Sequence, residues 1–106
     1  MSDITQTEAL EPRAERVVAL SKPVVDQDGV EHATLTLTQP NGQAYLKIGD
    51  PWTPVFGDEG QRGIETNRSR LIAYVSDVTG IHRPILARMP FRDIQKVTDE
   101  MMLFFG

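Results

Sequence analysis

The sequence predicts an α+β fold: an N-terminal antiparallel β-hairpin packed on about three C-terminal α-helices. Three observations carry that expectation. Residues 16–38 alternate apolar and polar positions with a period of two, residues 40–63 are dense in glycine and proline, and residues 64–105 return to apolar positions three and four apart. A period of two buries one face of a strand, a period near 3.6 buries one stripe of a helix, and glycine and proline interrupt both.

The elements follow in chain order. Residues 1–15 mix Glu8, Glu11, Glu15 and Arg13 with Thr and Gln, show no apolar period, and read as a flexible leader. In the hairpin, Ala33, Leu35 and Leu37 alternate with His32, Thr34, Thr36 and Thr38, and Val18 and Leu20 supply the matching face upstream. Asp26-Gln27-Asp28-Gly29 reads as the turn, because Gly29 tolerates the positive φ of a hairpin loop. Pro23 has no N–H to give a ladder, so the first strand is expected to be an edge or bulged there.

Between Pro40 and Gly63, eight of twenty-four residues are Gly or Pro. A short helical turn fits Gln43–Ile48, and the rest of 40–63 reads as a long loop. A helix is then expected over 64–79, with Ile64, Leu71, Ile72, Val75 and Val78 on one stripe and Gly80 as its left-handed cap. Pro84 opens a short helix to residue 89, and Pro90 opens a last helix to residue 105. The stripe of that last helix is Phe91, Ile94, Val97, Met101 and Phe104 or Phe105, with Asp93 in the first turn complementing the helix dipole. Residues 16–106 thus read as a single α+β domain.

At 106 residues the chain is one domain's worth, with 40% hydrophobic and 25% charged residues, the balance of a folded globular chain. Its net charge of -4 offers no basic field for a phosphate backbone, so no nucleic-acid partner is expected. It has no cysteine, which excludes a disulfide scaffold and thiolate-ligated zinc and suits a reducing compartment. The longest apolar run, Met101–Phe105, is far below the ~20 residues of a membrane helix, and the first residues carry neither the basic nor the apolar region of a signal peptide.

No chemistry-bearing constellation emerges, so the chain is expected not to be an enzyme and to need no cofactor or metal. His32 and His82 lie in different elements without carboxylates at ligand spacing. Asp58-Glu59 is an adjacent loop pair of the kind that is ordinarily solvated, and Gly57, Gly60 and Gly63 are not followed by the Lys-Ser or Lys-Thr of a phosphate loop. Arg62, Arg68 and Arg70 read as a helix's solvated face.

Two features fit a lone small body poorly. Met101, Met102, Leu103, Phe104 and Phe105 are consecutive, and at ~100° per residue they point all round a helix of which a small domain hides one side. Either this end meets a partner, or it is a frayed, sticky terminus, or hairpin and helix sandwich it from both sides. Trp52 and Phe56 are large aromatics on a Pro-rich stretch, and they either plug the core or stand as interface anchors. Met101, Met102, Leu103 and Phe105 are the first-choice contact residues, and Trp52 and Phe56 the second.

One family likeness emerges from the residues. Val17-Val18-Ala19-Leu20-Ser21-Lys22-Pro23, the turn at Asp28-Gly29-Val30, and Ala33–Leu37 followed by Pro40 form its first part. The run Leu71–Ile81, then Pro84-Ile85-Leu86, Met89-Pro90-Phe91-Arg92-Asp93-Ile94 and a short apolar helix form its second. Over Val17–Phe105 this resembles the tail assembly chaperones of Mu-like and related contractile-tailed phages and prophages.

The resemblance implies a non-catalytic protein of the host bacterial cytoplasm that binds the tape measure protein, keeps it soluble, helps recruit tail tube protein, and is absent from the mature virion. It also implies a longer form made by ribosomal frameshift; a run of uridines can encode Leu103-Phe104-Phe105. The physical and family readings meet in one mechanism, in which a surplus apolar face reversibly covers apolar helical surface. A homo-oligomer through the same face is open. The alternative reading is a small structural tail or baseplate component of the virion that oligomerises through it.

Overall fold

The computed structural model describes residues 15–106; the leader expected over 1–15 lies, apart from Glu15, outside the described residues. Strands β1 (Arg16–Val25) and β2 (Glu31–Leu37) pair antiparallel, and helix α1 (Gly42–Ile48) follows. Strands β3 (Trp52–Phe56) and β4 (Arg62–Thr66) form a second antiparallel pair. Helices α2 (Arg68–Thr79), α3 (Arg83–Leu86) and α4 (Phe91–Met102) complete the order, and the chain tightens into a 3₁₀ turn over Leu103–Phe105. The class is α+β, with an N-terminal hairpin and helices as expected, plus one small sheet that was not.

The first hairpin pairs Val18↔Leu35 and Arg16↔Leu37, and its register shifts between Ala19 and Val24, the bulge expected at Pro23. Its turn is held by one carboxylate. Asp26 accepts hydrogen bonds from the N–H groups of Asp28 (2.8 Å) and Val30 (3.0 Å), and its other oxygen lies 2.8 Å from Nε2 of His32. The His32 hydrogen bond, then that of Val30, holds the Asp26 pKa below its ordinary 3.8. The neighbouring Gln27 amide clasps the helical side, donating to the Gly80 carbonyl (2.8 Å) and accepting from His82 N–H (3.2 Å). Gly80 is in the left-handed region (φ 79°, ψ 5°) and closes α2 through its N–H to Ser76.

One face of the hairpin (Val18, Val24, Leu35 and Leu37) meets Leu71, Tyr74 and Val75 of α2 and Val97 and Met101 of α4 in a single core, joined by Ile81 and Leu86. A polar seam runs alongside. On α4, Asp93, Lys96 and Glu100 fall three and four apart and so share a face. The Asp93 carboxylate accepts from Ser21 N–H (3.0 Å), the Ser21 hydroxyl (3.1 Å) and Lys22 N–H (3.3 Å). Lys96 Nζ donates to the Ala19 carbonyl (2.9 Å), and Glu100 pairs with Arg16 (2.8 Å). The seam therefore runs antiparallel to β1 and takes up the backbone donors that the bulge leaves without a ladder partner.

Asp93 is only 2% exposed. Burial alone would raise its pKa, but the bonds from Ser21 and Lys22 and the charge of Lys96 outweigh it and bring the value below 3.8. A carboxylate whose pKa is lowered by folding adds stability above the unfolded value, and loses it as pH falls through the native one. We expect Asp93→Ala to cost about 2 kcal/mol at neutral pH, since it strips a charged acceptor from two backbone donors. Urea titrations at successive pH values check it: the loss shrinks below pH 3.8 as the native carboxylate itself protonates, and a loss independent of pH argues for packing alone.

Several boundaries differ from the expectation: the short helix expected to residue 89 ends at Leu86, and the last helix, expected to residue 105, ends at Met102 and gives way to the 3₁₀ turn. The stretch 40–63 is not a loop throughout, and the helix expected from residue 64 starts at Arg68, capped by Asn67, whose side chain accepts from Arg70 N–H. Ile64, expected to open the helical stripe, belongs to β4 instead. Phe91, expected on the buried stripe of the last helix, is 73% exposed.

Candidate functional site

The second hairpin is an arm. Every residue of β4 is exposed, as is every residue of β3 after Trp52. Its base is fixed to α2 by three successive carbonyls: Gly49 accepts from the Tyr74 hydroxyl (2.6 Å), Asp50 from Arg70 (2.9 Å) and Pro51 from Asn67 N–H (2.8 Å). Burial of its ring raises the pKa of Tyr74, so the phenol remains a donor to Gly49 across the ordinary range. At the tip, Glu59 (φ 64°) and Gly60 (φ 80°) both take positive φ, the requirement of a tight hairpin turn that follows the strand twist.

The register sorts the arm's side chains onto two faces. Pairing runs Trp52↔Thr66, Pro54↔Ile64 and Phe56↔Arg62, with Thr53↔Glu65 and Val55↔Gly63 between them. Directly opposed residues share a face and alternate residues along a strand do too. Trp52, Pro54, Phe56 and Ile64 therefore form one contiguous apolar face, flanked by Arg62 and Thr66. Phe56 is 72% exposed and Ile64 69%. An isolated two-stranded ribbon is marginal in water, and one that shows Pro54, Phe56 and Ile64 to solvent gains nothing from the display by itself.

The C-terminal turn meets this face at its root. The Phe105 ring stands edge-on to Trp52 (centroids 6.3 Å apart, planes at 86°) and to Tyr74 (4.8 Å, 63°). Tilted edge contacts of this kind suit the quadrupoles of aromatic rings. Pro40, Asn41, Tyr45 and Phe104 line a shallow groove beside Phe105.

The residues singled out from sequence thus divide. Trp52 and Phe56 share the arm face, and Phe105 touches Trp52, so the arm and the C-terminal turn are one surface. Leu103 is 55% exposed, and Met102, Phe104 and Phe105 are half-buried against the core. Met101 is fully buried beneath them and supports the surface rather than presenting it. Of the two readings of Trp52, the structure gives it some of each: its ring roots the arm on Phe105 while remaining partly open. Sequence reasoning missed Pro54 and Ile64. The signal was present, since Trp52, Pro54 and Phe56 alternate with a period of two just before an Asp-Glu-Gly turn.

Among the described residues no cluster of three or more His, Asp or Glu side chains is placed to hold a metal ion, and no helix is long and apolar enough to cross a membrane. His82 caps α3 by backbone geometry alone, and Asp58 and Glu59 stand exposed at the arm's tip. Arg68, instead of standing free on a solvated face, bridges α2 to α4 through Thr98 (2.6 Å) and Asp99 (2.8 Å).

No curated protein and no solved structure matches the chain. The family described as "Phage tail assembly chaperone proteins, E, or 41 or 14" does match, over residues 17–106, a span that takes in every described strand and helix apart from Arg16, the first residue of β1, and includes the C-terminal turn. The chain belongs to the phage tail assembly chaperone family.

Proposed function

We propose that this chain is a chaperone of the tape measure protein: it covers apolar helical segments of that protein, keeps them soluble and hands them on as tail tube subunits arrive. The role is one of binding, needs no catalysis, cofactor or metal, and belongs to the host cytoplasm before the virion is complete. The observation that carries it is the arm face of Trp52, Pro54, Phe56 and Ile64, which is apolar, contiguous and outside the core. An apolar helix laid across a two-stranded apolar face supplies the second layer that such a face requires. Family membership supports the class of activity, and the arm supplies a surface for it.

The test is co-expression of this chain with the long helical tape measure protein of the same phage genome. The expected result is a soluble complex recovered through a tag on either partner, and an insoluble partner when expressed alone. If the helical protein stays insoluble and no complex is recovered, the reading fails. Mass spectrometry of purified particles separates it from a virion component, which is present in stoichiometric amount.

A further inference from the structure

The two edges of the arm are not equivalent, and their difference points to a second copy of this chain. Backbone bonds at both ends of the arm set the phase of its ladder. Gly57 N–H donates to Gln61 (2.7 Å) at the tip, and Asn67 N–H donates to Pro51 (2.8 Å) at the root. In an antiparallel ladder the inward-bonding positions alternate, so 53/65 and 55/63 bond inward as well. Positions 52, 54 and 56 of β3, and 62, 64 and 66 of β4, therefore turn their backbone polar groups outward.

On β3 the central outward position is Pro54, which has no N–H to offer. Proline at an edge is a standard block to strand addition. On β4 the outward positions are Arg62, Ile64 and Thr66, each with donor and acceptor intact, and among the described residues no strand pairs with them. One edge is closed and the other is open.

We propose that β4 pairs antiparallel with β4 of a second copy about a two-fold axis at Ile64. In that register Ile64 faces Ile64 of the other copy, Arg62 faces Thr66, and Gly63 faces Glu65. All five residues are paired, and about six backbone hydrogen bonds form because every outward group finds its complement. Charge selects this register. Sliding it by one pair in one direction sets Glu65 directly against Glu65, which is repulsive, and sliding it the other way leaves Thr66 unmatched within the strand. The result is a four-stranded sheet in which the Trp52, Pro54, Phe56 and Ile64 faces of two arms become continuous, a more stable unit than either ribbon alone. The pairing does not depend on the tape measure reading.

Pairing two five-residue edges buries less than a standard interface, so the association is concentration-dependent. Sedimentation equilibrium of the full chain is expected to show a weight-average mass that rises toward twice the monomer mass. Ile64→Pro removes the central outward N–H without touching an inward bond, and is expected to hold the chain at the monomer mass at every concentration. Because that substitution also alters the face, a second variant keeps the test sharp. The chain has no cysteine, and a hydrogen-bonded antiparallel pair sets Cα atoms about 5.5 Å apart, within the ~4.4–6.8 Å of a disulfide. Ile64→Cys is expected to give a covalent dimer under mild oxidation, and Val55→Cys, on the opposite face, is not. A strictly monomeric native chain, an Ile64→Pro dimer as strong as the native one, or no cross-link at position 64 each overturns the pairing. A native chain that stays monomeric yet captures the helical protein overturns this inference and leaves the proposed function standing; a native chain that pairs yet captures nothing does the opposite.

Discussion

Met101→Ala is expected to lower the stability of the chain by about 2–5 kcal/mol, whereas Leu103→Ala, two residues on, changes it by under about 0.5 kcal/mol. Both lie in the same apolar run, yet Met101 is fully enclosed and Leu103 is 55% exposed. Removing a buried thioether chain forfeits its transfer free energy and leaves a cavity between the first hairpin and α4, and the packed core closes only part of such a void. An exposed leucine has little transfer free energy to lose. Urea unfolding of the two variants side by side reads the difference. Comparable small effects show that the C-terminal end is loosely held throughout, and that Met101 is a surface group after all.

The opposite pattern is expected at the arm. Phe56→Asp leaves the unfolding midpoint unchanged, because the ring is 72% exposed, and weakens capture of the helical partner by ten- to a hundredfold or more. A buried aromatic contributes about 1.5–3 kcal/mol, each 1.4 kcal/mol is about a factor of ten, and a carboxylate pressed against an apolar helix adds a desolvation cost. Affinity capture with purified components, together with a thermal melt of the variant, checks both halves. A variant that binds as well as the native chain removes the arm from the mechanism. One that melts several degrees lower shows that Phe56 is structural.

What was legible in the sequence were the elements with a long clean period. The first hairpin shows its apolar alternation, its Asp-Gly turn and the proline that bulges it, all within 16–38. Helix α2 is legible from Leu71 onward and at its Gly80 cap, because its stripe and its left-handed stop are local facts. The arm was not, because its strands are five residues each and carry the residues that mark loops. Proline forbids a helix, but at an outward ladder position it does not forbid a strand, and Pro54 uses that allowance. Ile64 was misplaced because a single apolar residue four or seven positions before a true stripe matches it by chance.

The role of Asp93 was also out of reach. A carboxylate in a first helical turn reads as a dipole partner, and only the fold reveals that it faces a bulge seventy-two residues earlier. The site was half legible: the aromatics and the apolar end were conspicuous by type, but their union across Trp52 and Phe105 is a tertiary fact.

The contact between Trp52 and Phe105 has a practical consequence, since Trp52 is the sole tryptophan of the chain. Indole emission excited at long wavelength arises from one place only, the hinge where the projecting ribbon leaves the body. Rearrangement of the ribbon, or occupation of its root, registers as a change in that single unlabelled signal, and the rest of the molecule stays optically silent.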